Sequence, residues 1–104
     1  MNAPQDPQIE SLKVPPHSVE AEQSVLGGLL LDNAAWDRIA DFLSQGDFYR
    51  YDHRIIYEHI GRLIASTRPA DVVTVYEALT TSGKADDVGG LAYLNALAQN
   101  TPSA

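Results

Sequence analysis

The chain has 104 residues, with apolar side chains enough for one core, fourteen acids against seven bases, and a formal net charge of −7. That length allows a single domain able to fold alone. The acidic balance works against affinity for a phosphate backbone, and the lack of cysteine excludes disulfides, thiolate zinc sites and cysteine nucleophiles. No signal peptide is visible, and the longest apolar-rich stretch, Val25 to Leu31, holds two glycines and is far too short to span a bilayer, so the cytoplasm is the expected location.

Residues 1–17 carry Pro4, Pro7, Pro15 and Pro16 without periodicity and read as a disordered N-terminal tail, leaving 18–104 as the folded domain. Ser18 is placed to cap a first helix, with Glu20 and Glu22 at the positive end of its dipole and Val25, Leu26, Leu29 and Leu30 on one face. Gly27 and Gly28 interrupt it at a cost of roughly 1 kcal/mol each against alanine, which predicts close approach of another helix. Asp32 is a second cap, for a helix over 33–44 whose stripe is Trp36, Ile39, Ala40 and Leu43. Ser44-Gln45-Gly46-Asp47 then reads as a turn.

The third helix, over 51–66, has the clearest pattern, with Ile56, Ile60, Leu63 and Ile64 on one face and Arg54, Glu58 and Arg62 at spacings of four on another. Asp71 caps a fourth over 72–82, with Val72, Val75, Tyr76 and Leu79 inward and Gly83 at its stop. The β-branched run Val72-Val73-Thr74-Val75 leaves a strand as the rival reading, and the cap and spacing favour the helix. A fifth helix spans 90–99, with Leu91, Leu94 and Ala98 expected inward and Tyr93 and Leu97 on the adjacent flank. The fold class is all-α, a compact orthogonal bundle of about five to six short helices.

No catalytic, cofactor-binding or metal-binding constellation emerges. Gly83-Lys84 hints at a phosphate loop, but Ala78 stands where its first glycine belongs and Ala85 replaces the metal-binding hydroxyl. His17, His53 and His59 lack the spacing that sets two imidazoles on one helical face, and His53 is expected to make a surface contact to Tyr57 one turn on. Asp37 and Asp41, beside Arg38, read as a solvated face, and Asp86-Asp87 lacks the further ligands of a calcium loop. Two partner-binding candidates remain. Arg54 and Arg62 belong to a locally basic stretch, Arg50 to Arg68, which either docks an acidic surface or is a solvated face held by an Arg54–Glu58–Arg62 chain. Tyr93 and Leu97 form a flank in which an aromatic with a polar tip suits an interface, the alternative being that Tyr93 roofs the core beside Tyr76. Core packing is the expectation for Trp36 and Phe48.

The run Pro16-His17-Ser18-Val19-Glu20-Ala21-Glu22-Gln23-Ser24-Val25-Leu26-Gly27-Gly28 resembles the opening of DnaB-type replicative DNA helicases. The order continues as in that family through Leu31-Asp32, Trp36, Asp47-Phe48-Tyr49, His53 with Ile56, Asp71-Val72-Val73-Thr74, Val88-Gly89-Gly90-Leu91-Ala92-Tyr93-Leu94 and Asn100-Thr101-Pro102-Ser103-Ala104, so that the resemblance covers 14–104. It implies a non-catalytic N-terminal collar domain that supports assembly of a hexamer from neighbouring helicase subunits and docks a DnaG-type primase at the replication fork. In such a parent protein a separate RecA-like motor unwinds DNA from 5′ to 3′ with ATP and magnesium. None of the motor's motifs is present here, so this chain alone is expected to be no enzyme, to need no cofactor, to bind DNA weakly or not at all, and to have no membrane partner. The chain stops at Ala104 where the family continues into a helical hairpin, a linker and the motor. The alternative to a helicase segment is a free-standing regulatory or adaptor domain of the same fold that binds primase or helicase.

Overall fold

A computed structural model describes residues 18–101. The expected tail, 1–17, and the closing Pro102-Ser103-Ala104 lie outside the described residues. Among the described residues the fold is all helical, with no strand. Five α-helices follow one another: α1 (Val19–Leu31), α2 (Trp36–Ala40), α3 (Tyr51–Ala65), α4 (Val72–Thr81) and α5 (Gly90–Gln99). Short 3₁₀ turns at Asn33–Ala35, Gln45–Asp47 and Asp86–Val88 connect them.

Helix starts are set by local hydrogen bonding. The Ser18 hydroxyl accepts from Ala21 N at 3.1 Å. At α4, Asp71 and Thr74 form a reciprocal capping box: the Asp71 carboxylate accepts from Thr74 N at 2.9 Å, and the Thr74 hydroxyl accepts from Asp71 N at 2.8 Å. This box overrides the β-branched run that follows it, so the segment is helix rather than strand. Gly83, at φ +73°, supplies the left-handed residue that ends α4.

The second helix is shorter than its stripe predicts. Asp32 caps as expected, accepting from Ala34 N at 3.0 Å. However, it opens a 3₁₀ turn, and α-helix holds only from Trp36 to Ala40. Ala40 is exposed, whereas Leu43 and Phe48 are buried. Beyond Ala40 the chain turns, and one tertiary and one local hydrogen bond hold the segment that follows. The Tyr57 hydroxyl donates to Leu43 O at 2.6 Å, and Asp47 accepts from Ser44 N at 2.8 Å, starting the next turn. A second anchor lies at the end of α1, where the Asn33 amide donates to Leu29 O and Ala70 O, each at 2.8 Å, and accepts from Ala70 N at 2.9 Å.

α3 is the central element. It packs against α1, α4 and the turns at Gln45–Asp47 and Asp86–Val88, and α5 closes the bundle against α1 and α4. Ile56, Ile60 and Leu63 are buried as predicted, with Ile64 half-buried, but His53, Ile55, Tyr57 and His59 are buried as well. A helix enclosed on several sides cannot keep a polar face beyond its outer edge. Phe48 is core, 4.9 Å from the Tyr57 ring, while Trp36 is half-buried, 4.9 Å from the opposite side of the same cluster.

Burial pushes the Tyr57 phenol up from its ordinary value of 10.0 to about 12, with a smaller contribution from Asp47. A raised folded-state value means that the folded protein holds this proton more tightly than the unfolded chain does. The associated stability is therefore intact below pH 10.0 and is lost as pH rises through about 12. Chemical denaturation at stepped pH should show this alkaline loss, and Tyr57→Phe should flatten it. An identical alkaline slope in both proteins would remove Tyr57 as its source.

Candidate partner-docking site

The structure gathers polar groups from three helices at one point. Glu22, one turn into α1, falls on the same face as Leu26, Leu29 and Leu30 and is completely buried. His53 near the start of α3 precedes Ile56 and Ile60 on the core face and is also completely buried. The imidazole Nδ1 lies 2.7 Å from Glu22 Oε1, and Nε2 lies 2.6 Å from the Tyr93 hydroxyl of α5. Glu22 accepts in addition from Tyr49 N at 2.5 Å and Arg50 N at 3.4 Å. Both backbone amides can only donate, so the Glu22 oxygens are acceptors here, and the imidazole is assigned as a third donor. Its contact fixes the histidine proton on Nδ1, which leaves Nε2 to accept from the phenol. Gln23 Nε2 donates to the Tyr93 oxygen at 3.2 Å, completing the chain. Among the described residues every buried side-chain nitrogen and oxygen has a hydrogen-bond partner.

Tyr93 packs partly buried against the core, as Tyr76 also does, while its hydroxyl enters the buried network. It is half-buried, its ring nearly in the plane of the His53 imidazole (planes 9° apart, centroids 5.9 Å apart) and joined to it edge to edge through the hydroxyl, while the Arg50 guanidinium lies 5.6 Å from its ring centroid. Arg50 is held in turn by Asp52, whose hydrogen bond and charge raise the guanidinium above its ordinary value. Beside the ring, between α1 and α5, opens a notch of about 250 Å³ lined by Glu20, Gln23, Ser24, Tyr93, Asn100 and Thr101, among others. Its wall also includes Ala96 and Leu97, so carboxylate, amide and hydroxyl groups stand beside apolar surface, a lining suited to a side chain with both polar and apolar parts.

The other predicted site residues fall elsewhere. Leu97 is 3% exposed, so the expectation that it shares an outer flank with Tyr93 is corrected: it belongs to the core with Leu94, while Leu91, expected inward, is 40% exposed. In α5 the core face is thus Leu94 with Leu97, while the Tyr93 hydroxyl bonds His53. Arg54 does not join a chain with Glu58. Its guanidinium donates to Phe48 O at 2.8 Å and Tyr49 O at 2.9 Å, closing the backbone that enters α3. Arg62 does pair with Glu58, at 2.6 Å, and is largely exposed on a separate open groove between α3 and α4. Tyr93 is thus not brought together with Arg62.

His53 is the clearest miss. The expected surface contact to Tyr57 is absent, since Tyr57 turns to Leu43 O. His59 is likewise enclosed, with Nδ1 2.8 Å from Ile55 O and Nε2 2.8 Å from Ser82 Oγ.

Comparison with known proteins points one way. A family model described as DnaB-like helicase N terminal domain matches residues 14–104. The chain is 47% identical over 96 residues to the replicative DNA helicase DnaB of Buchnera aphidicola subsp. Schizaphis graminum, covering 92% of this chain and 21% of that protein. It is 50% identical over 90 residues to the replicative DNA helicase DnaB of Pasteurella multocida, covering 86% of this chain and 19% of that one. The chain thus spans about a fifth of the length of the curated relatives it matches. Among solved structures, the crystal structure of the N-terminal domain of DnaB helicase from Mycobacterium tuberculosis superposes with a TM-score of 0.81 at 41% identity, over 86% of this chain and 65% of that one.

Proposed function

Because this chain belongs to the DnaB-like helicase N-terminal domain family, we propose that it serves as the non-catalytic collar domain of a replicative DNA helicase, supporting hexamer assembly and docking a DnaG-type primase at the notch between α1 and α5. The observation that carries the docking site is Tyr93: a half-exposed aromatic, hydrogen-bonded to His53 through its hydroxyl, with the Arg50 guanidinium over its ring, on the wall of a notch of mixed polar and apolar lining. An aromatic fixed before contact is the residue type that anchors protein interfaces. The net charge of −7 supports a protein partner over a nucleic acid. ATP, magnesium and strand separation belong, in this proposal, to a motor supplied by the remainder of the parent protein.

Titration of the chain with a primase C-terminal helical domain, followed residue by residue in solution, tests the reading. Signals of the notch should move first. Tyr93→Ala should weaken binding by about 2 kcal/mol or more, the hot-spot scale. It should cost less stability than the roughly 3–5 kcal/mol of a fully buried aromatic. A folded Tyr93→Ala protein that binds primase at full strength removes this surface from consideration.

A further inference from the structure

The groups that hold Tyr93 are expensive ones to bury. A carboxylate and an imidazole withdrawn from water gain little stability over apolar side chains filling the same space, even when fully paired. What they supply, and leucines would not, is direction. Glu22 fixes the histidine tautomer through Nδ1, and the tautomer fixes the phenol, because an unprotonated Nε2 accepts only along its lone pair. The Tyr93 ring is then held nearly in the plane of the His53 imidazole by the hydroxyl–Nε2 bond, with Gln23 donating to the same oxygen from the notch side.

We infer that Glu22 and His53 are positioning residues for partner docking, holding the Tyr93 ring in its binding pose before the partner arrives. The inference rests on the reading that a partner docks against Tyr93. Neither positioning side chain reaches the partner itself, as both are completely buried. Their contribution is to remove the ordering cost of an interface side chain, which is worth about fivefold to tenfold in affinity.

The test uses the full chain with tyrosine rings carrying a carbon label, read by nuclear magnetic resonance, and a primase C-terminal helical domain as probe. In His53→Ala the Tyr93 ring signals should collapse toward an averaged, mobile position, and affinity should fall about tenfold. In His53→Gln an amide can again meet the phenol, and most of both readouts should return. A merely structural histidine would change melting without this rescue. Should His53→Ala fail to fold, Tyr93→Phe cuts the same bond from the other side and keeps the ring; affinity should then fall several-fold in a folded protein. Unchanged ring signals and affinity in folded His53→Ala, no recovery in His53→Gln, or undiminished affinity in Tyr93→Phe each overturn the positioning role while leaving docking at Tyr93 intact. Full-strength binding by Tyr93→Ala overturns the docking reading instead, and this inference with it.

Discussion

Glu22→Ala should cost the domain about 3–5 kcal/mol, the scale for removing one member of a buried charged pair. The carboxylate is the sole recorded acceptor for three donors: His53 Nδ1 at 2.7 Å, Tyr49 N at 2.5 Å and Arg50 N at 3.4 Å. Two of these are backbone amides entering α3, where no preceding helical turn can satisfy them. Alanine leaves all three donors without this acceptor, and each buried donor without a partner costs about 1–3 kcal/mol. Glu22→Gln keeps the volume and one carbonyl acceptor but turns an amide donor against the others, so an intermediate loss is expected. Thermal melts followed by circular dichroism provide the measurement. In a domain of this size a loss of about 1 kcal/mol lowers Tm by roughly 4–8 °C, so Glu22→Ala should lose its native structure well below the parent protein. A Tm within a few degrees of the parent would mean that Glu22 is not the hub of this network.

That hub was partly legible in the sequence, in a pattern read for the wrong purpose. Glu22 suits the positive end of the first helix's dipole, a role that any acid in the first turn can fill. Its spacing from Leu26 and Leu29 places it on the apolar stripe, and an ionisable residue on a stripe must bring a partner. The same holds for His53 before Ile56 and Ile60. Periodicity could therefore have marked both residues as buried, although no local pattern joins them to Tyr93, forty residues further on. Caps and stops read well because they are local: Ser18, Asp32, Asp71 and Gly83 act within four residues of themselves. The second helix and the core face of α5 read poorly, and the contacts made there are distant. Tyr57 takes the carbonyl of Leu43, and His53 takes the hydroxyl of Tyr93. Both are contacts between residues far apart in the chain, which a stripe drawn from side-chain hydrophobicity alone does not contain.

Gly27→Ala and Gly28→Ala should move stability in opposite directions although the residues are neighbours. α1 crosses α5 at Gly27, which is buried. A methyl group built there collides with the Leu97 carbonyl oxygen and with the Thr101 side chain. The carbonyl is fixed within α5, and Thr101 is tied to it, since its hydroxyl donates to Leu97 O at 2.8 Å. Neither obstacle can yield without separating the helices or giving up that bond. Overpacking of this kind typically costs about 1–3 kcal/mol, and a collision with backbone belongs at the upper end. The intrinsic helical advantage of alanine, roughly 1 kcal/mol, offsets only part of it. At Gly28 a methyl group meets nothing within 4 Å, so only the gain in helix propensity and the restricted unfolded chain remain, about 0.4–1 kcal/mol in favour of alanine. Paired melts of the two single variants read the difference directly. Gly27→Ala should melt below the parent protein and Gly28→Ala at or above it. Should Gly27→Ala melt higher, α1 and α5 do not cross at this residue. The notch between them, with Tyr93 at its rim, would then need a different geometry.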